Sequence, residues 1–331
     1  MPEIVRAMVF REPGRPLELR RLPLPRLGRG EVLVRVSCCT LCGSDVHSFH
    51  GRRSTPCPTV LGHEILGQVT ALGPESPTCD DQGEPVAIGD RVTWSVAAAC
   101  GDCFFCGAGL PQKCERLFKY GHEPMSDRHP LSGGLAEYCH LAAGSAIFRV
   151  PPNLPDSLAC PANCATATAA AAMRYAGPTT GRAVLVQGAG MLGLTAGAMA
   201  TAGGATEVIV SDRLNHRLRR AYDFGATQTA SVDEGDATLR RIVVERTSGR
   251  GVDVAIDMSG DPAALESGMK LLRIGGRYVW VGAVFPERPV SISAETVVRH
   301  ILSIQGVHNY VPEDLAAALR FLEEHRRRFP F

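Results

Sequence analysis

The stretch AVLVQGAGMLGL, residues 183–194, constrains this chain more than any other. An apolar run of strand character meets Gly188, Gly190 and Gly193 in G-x-G-x-x-G spacing, and a segment of helix character, MLGLTAGAMATAG, follows at once. Nineteen residues after Gly193 a second apolar run, EVIVSD, ends on the acid Asp212. Strand, glycine turn, helix, strand and acid in this order make a βαβ unit. Its first turn lets backbone approach a pyrophosphate, its helix N-terminus faces the phosphates, and its acid meets the ribose hydroxyls. The glycine spacing alone is a weak signal, and a purely structural turn is the competing reading. The flanking strand, helix and acid argue against that alternative.

Gly188, Gly190, Met191, Leu192, Gly193 and Asp212 are therefore expected to hold a dinucleotide. A carboxylate at Asp212 repels a 2′-phosphate and favours NAD over NADP, while Arg213 next to it is a cation that would bind such a phosphate. Arg217, five residues past Asp212, lies along the adenosine ribose in this reading; a solvated helix arginine is the alternative. Later runs, VDVAIDMSG and GGRYVWVGAV, continue the alternation of strand and helix that builds a doubly wound parallel sheet. Val281, Gly282 and Ala283, and Gly306 and Val307 in QGVHNY, end late strands and are expected to face the nicotinamide.

The first 150 residues differ. EVLVRVSCC, ILGQVTALG, DRVTWSV and SAIFRVP are short β-rich runs separated by turn residues, the pattern of a mainly-β domain. A length of 331 residues suits two domains. The 35 basic and 34 acidic residues leave a formal charge of +1, so no overall field recruits nucleic acid or an anionic membrane. The expected partner is a small molecule. The N-terminus does not read as a signal peptide, and no apolar span approaches twenty residues, so a cytoplasmic location is expected. In that reducing compartment the 12 cysteines are not expected to form disulfides, and the clustered ones point to metal or catalysis.

Cys100, Cys103, Cys106 and Cys114 follow the spacing C-x2-C-x2-C-x7-C within CGDCFFCGAGLPQKC. Four thiolates on a glycine-containing loop form a closed tetrahedral zinc site that stabilises without catalysing; an iron–sulfur centre is the rival. A second set is dispersed: CTLCGSDVH supplies Cys42, Ser44, Asp45 and His47, and LGHE supplies His63 and Glu64. A catalytic zinc needs three protein ligands and one exchangeable position, and Cys42 and His63 are two of the three.

CGSDVH, GHE, the four-cysteine lobe and GAGMLG, in that order, cover nearly the whole chain. With them the sequence resembles the zinc-dependent medium-chain dehydrogenases of the alcohol dehydrogenase superfamily. The resemblance implies an α/β fold with an N-terminal, mainly-β GroES-like catalytic domain over 1–163, its structural-zinc lobe near 95–118, and a Rossmann NAD-binding domain over 164–308. It also implies a C-terminal return segment over 309–331 that stops short of its relatives. It places the third catalytic-zinc ligand at Cys164, with Cys160 the competing candidate, and Glu64 beside the metal as an alternate ligand. Asp45 becomes the partner of the His63 imidazole, Ser44 and His47 the path for the alcohol proton, and Thr168 a neighbour of the nicotinamide. Two zinc ions and NAD per chain are implied, with hydride transfer between an alcohol and its carbonyl, in a homodimer or homotetramer.

Polyol, cyclitol and phosphonate alcohols are the substrate classes the resemblance leaves open; an anionic one would want Arg52, Arg53 or Lys119 near the zinc. A second GHE, Gly121 to Glu123, lacks an upstream cysteine at the right spacing and reads as a pocket-lining loop. The competing class is a catalytically inactive, zinc-stapled NAD-binding sensor or structural protein.

Overall fold

The computed structural model describes residues 2–331, which fall into two compact units. One comprises Met1–Ala167 with Val311–Glu323, the other Thr168–Tyr310 with Glu324–Phe331, and the boundary lies inside the helix Ala165–Ala176. Among the described residues no helix is long and apolar enough to cross a membrane.

The first unit is built on strands. β1 (Ile4–Phe10), β2 (Glu18–Pro23) and β4 (Thr59–Val60) form one antiparallel sheet in the order β2-β1-β4. β3 (Val32–Thr40), β5 (Glu64–Leu72), β6 (Arg91–Trp94), β9 (Tyr138–Leu141) and β10 (Ile147–Arg149) form another in the order β10-β6-β5-β3-β9. Alternation drives the packing: β1 turns Val5, Ala7 and Val9 inward and leaves Ile4 and Arg6 outside. Val34, Ile65, Val92, Trp94, Tyr120 and Leu141 share one buried cluster. β7 (Ala97–Ala98) and β8 (Phe118–Lys119) pair antiparallel and clamp the base of the cysteine-rich lobe.

One register positions the chemistry. β3 and β5 run antiparallel with Thr40 opposite Glu64, and bulges interrupt the ladder between Leu33/Val34 and Val36/Cys38. Cys42 follows the end of β3 and His63 precedes the start of β5, so both emerge at the same end of the pair.

The second unit is a six-stranded parallel sheet in the order β13-β12-β11-β14-β15-β16, with β11 Ala183–Gln187, β12 Glu207–Asp212, β13 Gln228–Ser231, β14 Val252–Asp257, β15 Leu272–Trp280 and β16 Ser303–Gly306. In order of appearance this is 3-2-1-4-5-6, the doubly wound nucleotide-binding topology. β11 is buried along its whole length, as a central parallel strand covered on both faces must be.

A buried polar knot braces the first unit. Glu31, 2% exposed, accepts hydrogen bonds from the Gly28 amide at 2.6 Å, His140 Nε2 at 2.9 Å and Arg128 at 3.1 Å. Burial works against its charge, yet these donors hold its pKa below the usual carboxylate range. His129 offers a ring nitrogen within 4.8 Å, but the Glu31 carboxylate is already committed to its three donors. Burial lowers the pKa of both His140 and His129, so the fold favours their neutral forms.

The unfolded chain binds those protons near pH ~6.5, so this stabilisation is complete above that pH and is lost as pH falls through it. The melting midpoint is expected to drop between about pH 8 and about pH 5, and His140→Gln, which keeps an N–H for Glu31, to flatten that drop. Thermal unfolding followed by circular dichroism checks this; an unchanged slope in the variant would remove His140 from the account.

Candidate metal centre and dinucleotide turn

Cys42, His63 and Cys164, far apart in sequence, bring their ligand atoms within 4.8 Å of one another. Cys42 caps the N-terminus of the helix Gly43–Phe49, where the hydrogen bonds of the first turn reach its sulfur. Asp45, 3% exposed, ties the set together. Its Oδ2 accepts from the Cys42 amide at 3.0 Å, while its Oδ1 accepts from the Gly62 amide at 3.3 Å and lies 3.2 Å from His63 Nδ1. With Nδ1 engaged, His63 presents Nε2, and Ser44 Oγ sits 3.4 Å from that nitrogen.

Cys164 is held by a residue the sequence did not flag. Asn163 is fully buried; its Oδ1 accepts from the Ile65 amide at 3.2 Å, and its Nδ2 donates to the carbonyls of His63 at 3.0 Å and Trp94 at 2.9 Å. That clamp fastens the turn carrying Cys164 to the strand that begins after His63. The Cys164 and Cys42 sulfurs stand 3.9 Å apart, near the ~3.8 Å edge of a tetrahedron with Zn–S about 2.3 Å. Cys160 points elsewhere, its thiol donating to the Glu64 carbonyl at 3.3 Å. Nothing in PANC singled out Asn163, because its burial and its three backbone partners are invisible in sequence.

Glu64 is not gathered with these donors: its carboxylate accepts from Thr40 Oγ1 at 2.6 Å, across the register pair that starts β5. Burial and then the neighbouring Cys42 charge push its pKa up to about 7. The hydrogen bond from Cys164, opposed by burial, draws Cys42 down to about 3, and the same contact raises Cys164. Burial opposes a charged His63, but hydrogen bonds to Asp45 and Cys42 bring it up to about 9. The two thiols thus share one proton, which a divalent cation would displace. Two thiolates, one imidazole and an orienting carboxylate fit a three-ligand zinc with an open position.

The four cysteines of the lobe also converge. Their sulfurs are 3.3 Å apart for Cys114 and Cys100, 3.5 Å for Cys103 and Cys106, and 3.9 Å for both Cys100–Cys106 and Cys103–Cys114. Gly101 and Gly109 turn with φ of +81° and +75°, where a side chain would strain the loop. The amides of Cys100 and Arg116 donate to Cys114 Sγ at 3.2 and 3.3 Å. Four sulfurs with amide donors fit a closed zinc site.

In the second unit the glycine turn has distinct demands at each position. Gly188 has φ of +99°, and a Cβ there would come within 3.0 Å of the Ser259 amide. A Cβ on Gly193 would lie 1.7 Å from the Gly188 carbonyl, whereas Gly190 faces open space up to Arg217 at 4.0 Å. No side chain caps the helix Met191–Ala202 that follows, which suits a pyrophosphate at its amides. Met191 is exposed and Leu192 half-buried at its first turn. Asp212 Oδ2 accepts from the Ala189 amide at 2.7 Å and stands 3.9 Å from Arg217; Arg213 is exposed. Gly282, Ala283 and Gly306 are accessible at the ends of β15 and β16, while the side chains of Val281 and Val307 are buried and leave only backbone to a ligand. Thr168 is half-buried and His47 half-buried, three residues past Ser44 on one helix face.

Asn163→Ala would strand an amide and two carbonyls in the core, at about 1–3 kcal/mol each before relaxation. A fall in the melting midpoint of several degrees and faster loss of one zinc of two to a chelator are expected, with the lobe zinc unaffected. Thermal melts and timed metal analysis check this; equal retention of both ions would discount the clamp.

Residues 28–152 match the alcohol dehydrogenase GroES-like domain family and residues 192–324 the zinc-binding dehydrogenase family. An L-threonine 3-dehydrogenase of Pectobacterium atrosepticum is 30% identical over 312 residues, 92% of this chain and 80% of that protein. Among solved structures, an alcohol dehydrogenase of Thermotoga maritima superposes with a TM-score of 0.92 at 29% identity, covering 98% of this chain and 90% of that one. A zinc-binding dehydrogenase of Sinorhizobium meliloti bound to NADP gives 0.84 at 26%, covering 98% and 89%. The donor set, the thiolate lobe and the glycine turn accord with these likenesses, and the chain belongs to the zinc-dependent medium-chain dehydrogenases of the alcohol dehydrogenase superfamily, oxidoreductases that work with zinc and a nicotinamide dinucleotide.

Proposed function

We propose that the protein oxidises a primary or secondary alcohol to its carbonyl with NAD, reversibly, at Cys42, His63 and Cys164. The observation that carries this reading is the three-donor set with its Asp45 partner: it suits an open zinc, which a purely structural role would not require. When bound, zinc supplies a Lewis acid that makes the alcohol more acidic, and NAD accepts the hydride. Asp45 orients the His63 ring and keeps Nε2 free. Ser44, 3.4 Å from that nitrogen, takes the alcohol proton, and His47 on the same helix face passes it on. Cys100, Cys103, Cys106 and Cys114 hold a second zinc that braces the lobe. Glu64, its carboxylate engaged by Thr40 Oγ1 and its pKa pushed up by burial, acts as a neighbour of the metal rather than as a standing ligand.

In the second unit, Gly188, Gly190, Met191, Leu192 and Gly193 receive the pyrophosphate, and Asp212 receives the adenosine ribose. Arg217 neutralises Asp212 in part, and Thr168, Val281, Gly282, Ala283, Gly306 and Val307 line the nicotinamide end. All 12 cysteines are unpaired, and thiolate sites survive best in a reducing cytoplasm, where family analogy suggests a homodimer or homotetramer.

Cys42→Ala is expected to abolish turnover, lower zinc from two ions to one and leave NADH fluorescence binding intact. Joint loss of NADH binding and turnover would count against separate sites. NAD is expected to outperform NADP, and Asp212→Ser to shift the kcat/KM ratio toward NADP by about tenfold or more, since a carboxylate repels the 2′-phosphate. Steady-state kinetics with both cofactors decide; an unmoved ratio would release Asp212 from cofactor choice.

A further inference from the structure

Three side chains beside the donor set have no task in the reading above. His122 is 7% exposed. Its Nδ1 lies 3.1 Å from the Tyr120 carbonyl, which can only accept, so Nδ1 carries a hydrogen and the neutral ring keeps a lone pair on Nε2. That Nε2 is buried and has no partner among the described residues. The ring centroid is 5.1 Å from that of His63, and a ring nitrogen lies within 4.8 Å of both His63 and Asp45 ligand atoms. Backbone contact sets this placement: a Cβ on Gly121 would meet the Gly62 carbonyl at 2.8 Å, so the two glycine-histidine pairs lie back to back.

The His122 amide donates to the Lys119 carbonyl at 3.1 Å, and the charges of Arg53 and Lys119 both act on the His122 ring. Both are half-buried, and neither forms a salt bridge with a carboxylate among the described residues. Glu123, four residues on, accepts from the Lys119 backbone amide at 2.8 Å. Arg53 and Lys119 repel each other; Arg53 feels the charge of Asp45 first and then those of Cys42 and Cys164, and Lys119 those of Cys164 and Cys42. Asp45 is committed to His63 and two amides. Once a zinc ion balances the two thiolates, Asp45 is the carboxylate that still bears on Arg53, and its single charge set against two cations leaves a net positive charge beside the donor set that an acidic ligand would neutralise.

We propose that Arg53, Lys119 and His122 recognise the substrate, an alcohol that carries an acid group for the two cations and a hydrogen-bond donor, hydroxyl or ammonium, for His122 Nε2. This rests on the assignment of Cys42, His63 and Cys164 as the centre of alcohol oxidation. The acid is a carboxylate or a phosphorus oxyacid; both present oxygens that arginine and lysine bind in the same way.

The test compares kcat/KM of the zinc-loaded enzyme for matched alcohols: glycerol, glycerate, glycerol 3-phosphate and 3-hydroxypropionate. Glycerate or glycerol 3-phosphate is expected to exceed glycerol by about a hundredfold, and whichever leads identifies the acid. 3-Hydroxypropionate, which has the acid but no second donor, is expected to trail glycerate by about tenfold, a gap that His122→Phe closes and His122→Gln, which keeps an acceptor, preserves. Arg53→Gln and Lys119→Gln should each narrow the acid-over-neutral ratio by about tenfold, with Arg53→Lys restoring most of it. Malonate and phosphate, titrated into the NADH complex and followed by nucleotide fluorescence, report on the same cations without turnover. Neutral alcohols oxidised as well as acidic ones, or anion binding indifferent to Arg53→Gln in a normally melting variant, overturns the proposal and leaves the dehydrogenase reading standing. Absence of turnover on every alcohol overturns that reading instead, and anion binding then still decides the role of Arg53 and Lys119.

Discussion

The three-donor set depends on one buried carboxylate. Asp45 accepts from the amides of Cys42 and Gly62 and holds His63 Nδ1, so one side chain sets two backbone segments and one ring at once. Its burial is expensive for a charge, and the cost is met by donors on every side rather than by solvent. Without it His63 would lose its orientation and the sulfur of Cys42 its fixed distance from the ring. The neighbouring shell works through the same logic: Asn163 commits its Oδ1 and both Nδ2 hydrogens to three backbone groups and thereby brings Cys164 to the other two donors.

The two cysteine sites solve different problems with the same atom. In the lobe, four sulfurs lie on one short loop, and the glycines at 101 and 109 let the backbone fold back on itself. Local chain geometry is sufficient there. In the Cys42, His63 and Cys164 set the sulfurs come from segments 122 residues apart, and the β3–β5 register and the Asn163 clamp do what loop geometry does in the lobe. A site assembled in that way can leave one coordination position open because its ligands are positioned by the sheet, not by each other.

Much of this was legible. The lobe spacing, the glycine turn, Asp212 and the Cys42 and His63 pair were readable as candidates because each is a short pattern whose chemistry requires those residue types, whereas the task of Asp45 came only with the family resemblance. Cys164 was readable only through family resemblance, since Cys160 stands four residues away and nothing local separates them. The structure separates them by direction: Cys160 faces the Glu64 carbonyl and Cys164 faces Cys42. Glu64 illustrates the converse, a residue beside a ligand in sequence that strand alternation turns toward Thr40. His122 read as one lining residue among many, because neither the burial of its Nε2 nor the lack of a salt bridge at Arg53 and Lys119 leaves a trace in the order of residues.

The sequence by itself determined the local units: where strands alternate, where a turn must be glycine, and which thiols can share an ion. Those are contacts between neighbours along the chain, fixed by sterics and by ligand chemistry over a few residues. Only the tertiary structure decided which distant donors meet, which carboxylate is spent on a hydroxyl, and which cations gather beside the donor set. Such outcomes depend on strand register and burial, properties of the whole unit that no short stretch contains.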